Sequence, residues 1–460
     1  QLACDQFGQI TLDLVGHAET AIGDGRLLST HHLQRSRNFL DVEEFELIAF
    51  FDVVVVLELD TALEAFLDFA HIVLHALERL DLALHAVAQV NMRPEVAKPL
   101  QAAQEAIQAK QPDVALQKIQ EARGMPQLTE PEKMFLERLS VVAAMNAQKF
   151  DVASGSLDYL LQSKELSAAD RLTLTETMVS VSQRNKDHVK VVHWARRYAQ
   201  EGGKNQRVHI MKVQALALQG LHKEVLQDMQ EAFKASGYQA EESELRIYAF
   251  SQKQLKDDTG YTQTLTQLVT RFPSKDYWSD LLNSMGRMSG ISARMQLDVS
   301  RLMDATGTLE EAEDYLDSAQ FAIKAGLPHE ALRMLEQGQV AGLYKGASAI
   351  PYVKLKQQAQ QRATEDDKSF KSLTAASDNG PMLVQLGDVL LSKGQWGDAA
   401  AAYQKALNKG GLKREAETRL HCGIALLKAN QGEQAKTMLQ SVTDDASVVQ
   451  LASLWMSLVK

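Results

Sequence analysis

An all-α fold, a superhelix of paired helices, is what this sequence predicts, and three observations carry the prediction. Apolar residues recur at spacings of three and four, so that each set falls on one helical face. A small or apolar marker on one helix is followed twelve residues later by a second on the next helix, again and again along the chain. Turn residues stand between the two members of each pair, and at the C-terminal end the whole pattern returns 36 residues later.

The clearest unit runs from Gly380 to Gly411. Leu383, Leu386, Gly387 and Leu390 form the stripe of its first helix, Lys393-Gly394-Gln395 the turn, and Ala399, Tyr403 and Ala406 the stripe of its second. The next unit places Cys422, Gly423 and Leu426 on its first helix and Ala435, Leu439 and Val442 on its second. Ala399 and Gly387 are expected where the two helices cross, because a larger side chain there forces the pair apart. Glycine costs about 1 kcal/mol in a helix interior, so its use at Gly387 signals a packing constraint.

Weaker copies precede these two. Ala103 and Ala115 flank the turn Lys110-Gln111-Pro112-Asp113, and Val141 and Ala153 flank Gln148-Lys149-Phe150. Val179 and Val191, Val213 and Val225, then Phe250 and Thr262 keep the spacing. The segment 276–301 is helical by pattern but departs from the repeat, which Ala319, Ala331 and Leu335 restore around Gly326-Leu327-Pro328. The expected architecture is a right-handed superhelix of nine or ten helix pairs, closed by a last helix over Ser447–Val459, with stability supplied mainly by contacts between neighbouring pairs.

Length and composition agree with an array. The chain has 460 residues, 45% of them apolar, which excludes disorder throughout and exceeds what one compact core usually holds. Its charge of −10 argues against non-specific nucleic-acid binding. Two cysteines, Cys4 and Cys422, make neither a disulfide framework nor a cysteine-based zinc site.

The charge is unevenly placed. The first 90 residues hold four Arg, no Lys and 15 acidic residues, and none of the Pro, Tyr or Trp, whereas the remainder is nearly neutral. This step divides the chain into residues 1–88, foreign in composition, and residues 89–460, the repeat array. Such a break is expected where a GC-rich bacterial gene is translated on its opposite strand or joined wrongly; an acidic helical domain is the competing reading. The chain opens on Gln1, as a processed product or fragment does. The apolar run Leu47 to Leu77 is interrupted by Asp52, Glu58, Asp60, Glu64 and Asp68, each costing about 2.5 to 3.5 kcal/mol at the centre of a membrane span, so no membrane insertion is expected. Ala86-Val87-Ala88 before Gln89 has the form of a signal-peptidase site, although Glu78, Arg79 and Asp81 break the apolar stretch that should precede it. His71 and His75 would share one face of a helix as metal ligands, but a chance pair is the plainer reading, and no metal or cofactor is expected.

The units at Gly380–Gly411 and after it resemble the tetratricopeptide repeat, a 34-residue helix-turn-helix unit. More narrowly, Arg93-Pro94-Glu95-Val96-Ala97-Lys98-Pro99-Leu100-Gln101-Ala102-Ala103-Gln104, Ala199-Gln200-Glu201-Gly202-Gly203, Tyr277-Trp278-Ser279-Asp280-Leu281-Leu282 and Lys409-Gly410-Gly411-Leu412-Lys413 resemble a family of exported proteobacterial tetratricopeptide proteins of unassigned function. That resemblance implies a periplasmic location, with the cytoplasm as the alternative.

Catalytic motifs were sought without result: there is no Walker loop, no Gly-x-Ser-x-Gly elbow and no His-Glu-x-x-His. His188 and His193 do not share a helical face, and Cys422 reads as a small core residue. The expected activity is therefore non-catalytic: a scaffold that binds a protein or peptide partner in its concave groove, or, as the alternative, a structural or assembly factor of a cell-envelope complex. In proteins with this repeat the first helix of each pair lines the groove. The candidates that this implies are Glu176, Gln183, Arg184, Arg207, Gln214, Glu244, Gln254 and Asp388. The corresponding positions Val384, Leu420 and Ile424 cannot form a carboxylate clamp, so a partner read through its side chains is expected.

Overall fold

The structure, a computed structural model, describes residues 92–164, 166–287 and 292–459. The expectations for residues 1–88, including the histidine pair His71 and His75, lie outside the described residues. Helices make up the described chain, and no strand occurs among the described residues. The chain divides into two compact units, Gln1–Leu166 and Ser167–Lys460.

In the first unit, α1 (Pro94–Gln108) pairs with α2 (Pro112–Arg123) and α3 (Glu130–Asn146) with α4 (Phe150–Gln162). Proline occupies the first turn of α1, α2 and α3, where a missing N–H costs nothing. Val96, Leu100, Ala103, Ala115, Ile119 and Leu136 form the core between the pairs. Glu132 closes a capping box with Thr129 and also accepts hydrogen bonds from the backbone and guanidinium of Arg93, at the start of the preceding repeat. These bonds hold its carboxyl down at about 2.

The second unit continues the pairing. It contains α5 (Ala168–Arg184) with α6 (His188–Gln200), α7 (Gln206–Leu218) with α8 (His222–Lys234), and α9 (Glu242–Gln254) with α10 (Asp258–Arg271). Then come α11 (Lys275–Arg287), α12 (Ala293–Thr306), and the pair α13 (Ala312–Ala325) and α14 (Pro328–Val340). A 28-residue helix, α15 (Ala349–Ala376), precedes the pairs α16 (Gly380–Ser392) with α17 (Trp396–Lys409) and α18 (Glu415–Lys428) with α19 (Gly432–Gln440). The last helix is α20 (Ala446–Ser457), close to the expected span.

One turn is used repeatedly. At Lys110, Gln148, Lys186, Gly220, Lys256, Gly326, Gly394 and Asn430 the backbone turns left-handed, with φ between 55° and 77°. The next residue donates back to the carbonyl five positions earlier, as Gln395 N does to Leu390 O at 2.9 Å. This closure satisfies the carbonyls that the helix end leaves open and sends the chain back along itself.

The twelve-residue offset marks the helix crossings. Ala103 and Ala115, Val179 and Val191, Val213 and Val225, and Ala319 and Ala331 are all fully buried. Gly387 needs its missing side chain, since a Cβ there would lie 2.6 Å from the Tyr403 ring, and Gly423 is in the same position against Leu439. Phe250 keeps the spacing but is only partly buried.

Contacts limited to neighbouring pairs do not describe the C-terminal part. Helix α20 packs on α10 and α12 as well as on α18 and α19, and α18 is joined to α12 by hydrogen bonds. Burial on α18 accordingly runs all round, through Leu420, His421, Cys422, Gly423, Ile424, Ala425 and Leu426.

Candidate functional site

The first helices α5, α7 and α9 stack side by side, α5 on α7 and α7 on α9. On α5, Glu176, Gln183 and Arg184 are seven and eight positions apart and share a face. All three are partly exposed. Glu176 accepts from Asn205 Nδ2 at 2.6 Å, which ties α5 to the start of α7. Burial lowers the affinity of the Arg184 guanidinium for its proton. Arg207 and Gln214 share a face of α7, but Arg207 is exposed and Gln214 is buried. Gln254 is exposed at the end of α9.

Glu244 lies inside rather than on a groove surface, with no exposed area. Its carboxylate accepts from Gln206 Nε2 at 2.6 Å, from Glu241 N at 2.9 Å and from the Tyr238 hydroxyl, and lies 2.8 Å from His209 Nδ1. Burial pushes this carboxyl up, but the hydrogen bonds outweigh it and hold it below the ordinary range. Gln206 at the start of α7 does for Glu244 what Arg93 at the start of α1 does for Glu132. Both carboxylates sit at the third position of a first helix and close a capping box. These residues form a structural joint between consecutive repeats.

Asp388 is half-buried at the edge of a cluster of charged side chains between α12, α14, α16, α17 and α18. Arg301 donates to Asp298 Oδ1 at 2.7 Å and, in a two-pronged pair, to Glu330 at 2.9 and 2.7 Å. His421 Nε2 lies 3.0 Å from Asp298 Oδ1, and its Nδ1 lies 3.4 Å from Asp388 Oδ1. The Tyr403 hydroxyl donates to Asp388 at 2.7 Å. Ser392 closes the cluster, accepting from Glu330 N at 2.9 Å, while its carbonyl accepts from Arg333. Burial alone would lower the His421 imidazole, but Asp298 and Asp388 raise it to about 9. Burial would raise the carboxyls of Asp298, Glu330 and Asp388, yet the facing cations hold all three below the ordinary range. The acids and bases of the cluster are all charged near neutral pH, while the Tyr403 hydroxyl, raised by burial and by Asp388, and Ser392 are neutral.

Sequence reasoning identified Asp388 but placed it on an open groove, and it passed over Asp298, Arg301, Glu330 and His421. A signal was present. Leu420 and Ile424, read as groove lining, are 0% and 2% exposed, and a first helix apolar on both faces is one covered on both faces. A lone histidine amid such a helix needs polar partners from elsewhere.

Of the remaining chemical candidates, Cys422 occupies a packing position and the two histidines do not. Cys422 is buried and its thiol is pushed up to about 12 by desolvation, which makes it inert. His193 is exposed and His188 partly so. No group of three or more His, Cys, Asp or Glu side chains among the described residues is arranged to hold a metal ion. No described helix is long and apolar enough to cross a membrane.

No family model matches the chain, and no curated protein matches it. Similar solved structures are helical-repeat proteins. One is the TPR2AB domain of yeast Sti1 in complex with pHSP90, at 15% identity, covering 58% of this chain and 98% of that one with a TM-score of 0.31. Another is Naa15/Naa10 bound to HypK-THB, at 13% identity, covering 82% of this chain and 63% of that one with a TM-score of 0.36. A third is the pentatricopeptide repeat protein PPR10 from maize, at 14% identity, covering 84% and 60% with a TM-score of 0.32. The paired helices, their repeated turn and their small-residue crossings make the chain a tetratricopeptide-like solenoid in fold class.

Proposed function

We propose that this protein is a non-catalytic scaffold that holds a polypeptide partner along the inner face formed by α5, α7 and α9. The observation that supports this reading is the stacking of these three first helices, which places Glu176, Gln183, Arg184, Arg207 and Gln254 on solvent-reaching positions of successive repeats. An extended segment or helix spanning several repeats meets one such position after another, which is how a solenoid turns a one-dimensional array into a recognition surface. Glu244 and Asp388 are placed outside this contact set, since each is satisfied by groups of the protein itself. Gln214 would contribute through packing.

A second reading, a structural or assembly factor of a complex at the cell envelope with a periplasmic location, is favoured by the resemblance carried by Arg93–Gln104 and Lys409–Lys413 to exported tetratricopeptide proteins. The two are separated by the same experiment. The native protein is captured from its source with a chemical crosslinker, and the crosslinks are mapped. The scaffold reading expects crosslinks on α5, α7 and α9, weakened several-fold by Arg184→Glu and Arg207→Glu. Crosslinks confined to α6 and α8 would overturn it. A stable membrane-protein partner among the captured species would favour the envelope reading.

A further inference from the structure

The C-terminal part of the second unit contains two separate apolar clusters. Leu297, Leu309, Leu316, Ala319, Ile323, Ala331 and Leu335 form one, on α12–α14. Leu386, Leu390, Ala399, Tyr403, Cys422, Leu426 and Ala435 form the other, on α16–α19. The hydrogen bonds that join them are polar, from His421 to Asp298 and from Glu330 N to Ser392, while α20 also packs on α10 and α12. Asp298, Arg301 and Glu330 come from the first body, and Asp388, Tyr403 and His421 from the second. The other bonds across this seam are polar too: Arg294 with Glu417 at 3.7 Å, Lys428 with Asp304 at 3.5 Å and Gln450 with Thr266 at 3.4 Å. The chain connection between the bodies is the single helix α15. Tyr352, Leu355 and Ala359 in its first half pack on the first cluster, and Phe370 and Leu373 in its second half pack on the other.

We propose that this seam is a latch: the ionic cluster holds the α16–α20 body closed against α10–α14, and releasing the cluster parts the two bodies along α15 while each keeps its own apolar core. Two physical features argue for separability. A seam of paired charges regains hydration when it opens, whereas an apolar seam does not, so the net cost of opening is smaller than its buried area suggests. The closed state also depends on one group more than any other. His421 faces a carboxylate with each ring nitrogen, and only the imidazolium has a donor for both.

The charged surroundings of His421 are fully specified. Asp298 and Arg301 face it from α12, Asp388 from α16 and the Tyr403 ring from α17, with Glu330 of α14 behind Arg301. On α19, Glu433 and Lys436 are exposed, and α20 has no ionisable side chain. Loss of the His421 proton therefore removes one donor from the seam, leaving Asp298 to Arg301 and Asp388 to Tyr403, and makes the cluster one charge more negative. Opening would bring Leu420 and Ile424, now buried, onto an accessible face and uncover the half-buried Asp388 further.

The test is amide hydrogen exchange on the full chain, at pH 7 and at pH 10 with rates corrected for base catalysis, alongside small-angle scattering. At pH 10 we expect amides of α12, α16 and α18 at the seam to exchange at least about tenfold faster. Those inside the α13–α14 and α17–α19 cores should keep their protection, and the radius of gyration should rise. His421→Gln should show the open pattern already at pH 7 and respond little to further alkali. Loss of protection in all helices from α10 to α20 together, or no change at the seam, would overturn the latch. If the variant does not fold, the alkaline transition of the unaltered protein decides alone.

Discussion

Two stretches of the second unit solve the same problem differently. From α5 to α9 each helix pair meets its neighbours, the first helices keep partly exposed polar residues, and a single buried carboxylate, Glu244, is satisfied by groups on α7 and in the loop between α8 and α9. From α10 to α20 the chain folds back, and residues about 120 positions apart meet in one buried cluster. The pairs themselves are built alike in their left-handed turn, while the crossings use valine in the first stretch and glycine and alanine in the last pairs. The hairpin is a local solution, and closure is a further one that needs charges placed on helices distant in sequence.

The largest separation between the two stretches should come from removing Arg301. Arg301→Met leaves Asp298 and Glu330 buried without their cation, and breaking a buried pair this way costs about 3 to 5 kcal/mol. In the neighbour-only stretch, Tyr238→Phe removes one of several bonds to Glu244 and should cost about 1.5 to 3 kcal/mol, the value of one bond to a charged group. Denaturant titration read by circular dichroism compares the two, and equal losses would mean that the cluster contributes no more than the local joint at Glu244.

Titration should divide the stretches by direction of pH. The His421 imidazole is raised from 6.5 to about 9, so its contribution is complete below about pH 6.5 and fades as the pH rises through about 9. A shift of that size corresponds to stability on the order of 3 kcal/mol. The carboxyls of Asp298, Glu330, Asp388 and Glu244 are held low, so their contributions are present above the ordinary carboxylate range and fade on acidification. Melting temperatures across the alkaline range should therefore fall for α10–α20 first, and an alkaline loss that begins in α5–α9 would contradict the assignment.

A packing change should affect the closed stretch at one position and spare its neighbour. Ala399 is fully buried at the crossing of α16 and α17, whereas Ala401 is exposed. Ala399→Leu should cost about 1 to 3 kcal/mol through overpacking, and Ala401→Leu should stay within about 0.5 kcal/mol. Denaturant midpoints of the two variants measure the difference. Like costs at both positions would remove Ala399 from the crossing.

The smallest effect tests what both stretches share. Lys186 in the open stretch and Asn430 in the closed one occupy left-handed turn positions with φ of 55° and 58°. Replacing either with Gly relieves the Cβ penalty, and Lys186→Gly should gain about 0.5 to 1 kcal/mol, with Asn430→Gly gaining less because Asn tolerates this backbone. A loss of stability at Lys186→Gly would show that its side chain matters more than its backbone.

Much of this was legible in the residues. The spacing from Gly387 to Ala399 and from Gly423 to Ala435 located the crossings, and Lys393-Gly394-Gln395 located a turn, because these are contacts within some forty residues whose steric demands leave a local mark. The surroundings of the groove candidates were legible only in part. Glu176, Gln183, Arg184, Arg207 and Gln254 keep some exposure and Asp388 is half-buried, but Glu244 looks the same in sequence and lies inside, since the groups that satisfy it come from outside its helix.

The sequence by itself determined the repeat: helix pairing, the turn positions and the residues at the crossings follow from periodicity and from side-chain type at a fixed offset. Tertiary structure alone decided that α18 and α20 return to α10 and α12, and so turned His421 from a histidine beside the apolar run of its helix into the centre of a charged cluster. The physical reason is that a helix face carries the same residues whether water or another helix covers it, and for an ionisable side chain the neighbour that arrives from 120 residues away sets its charge.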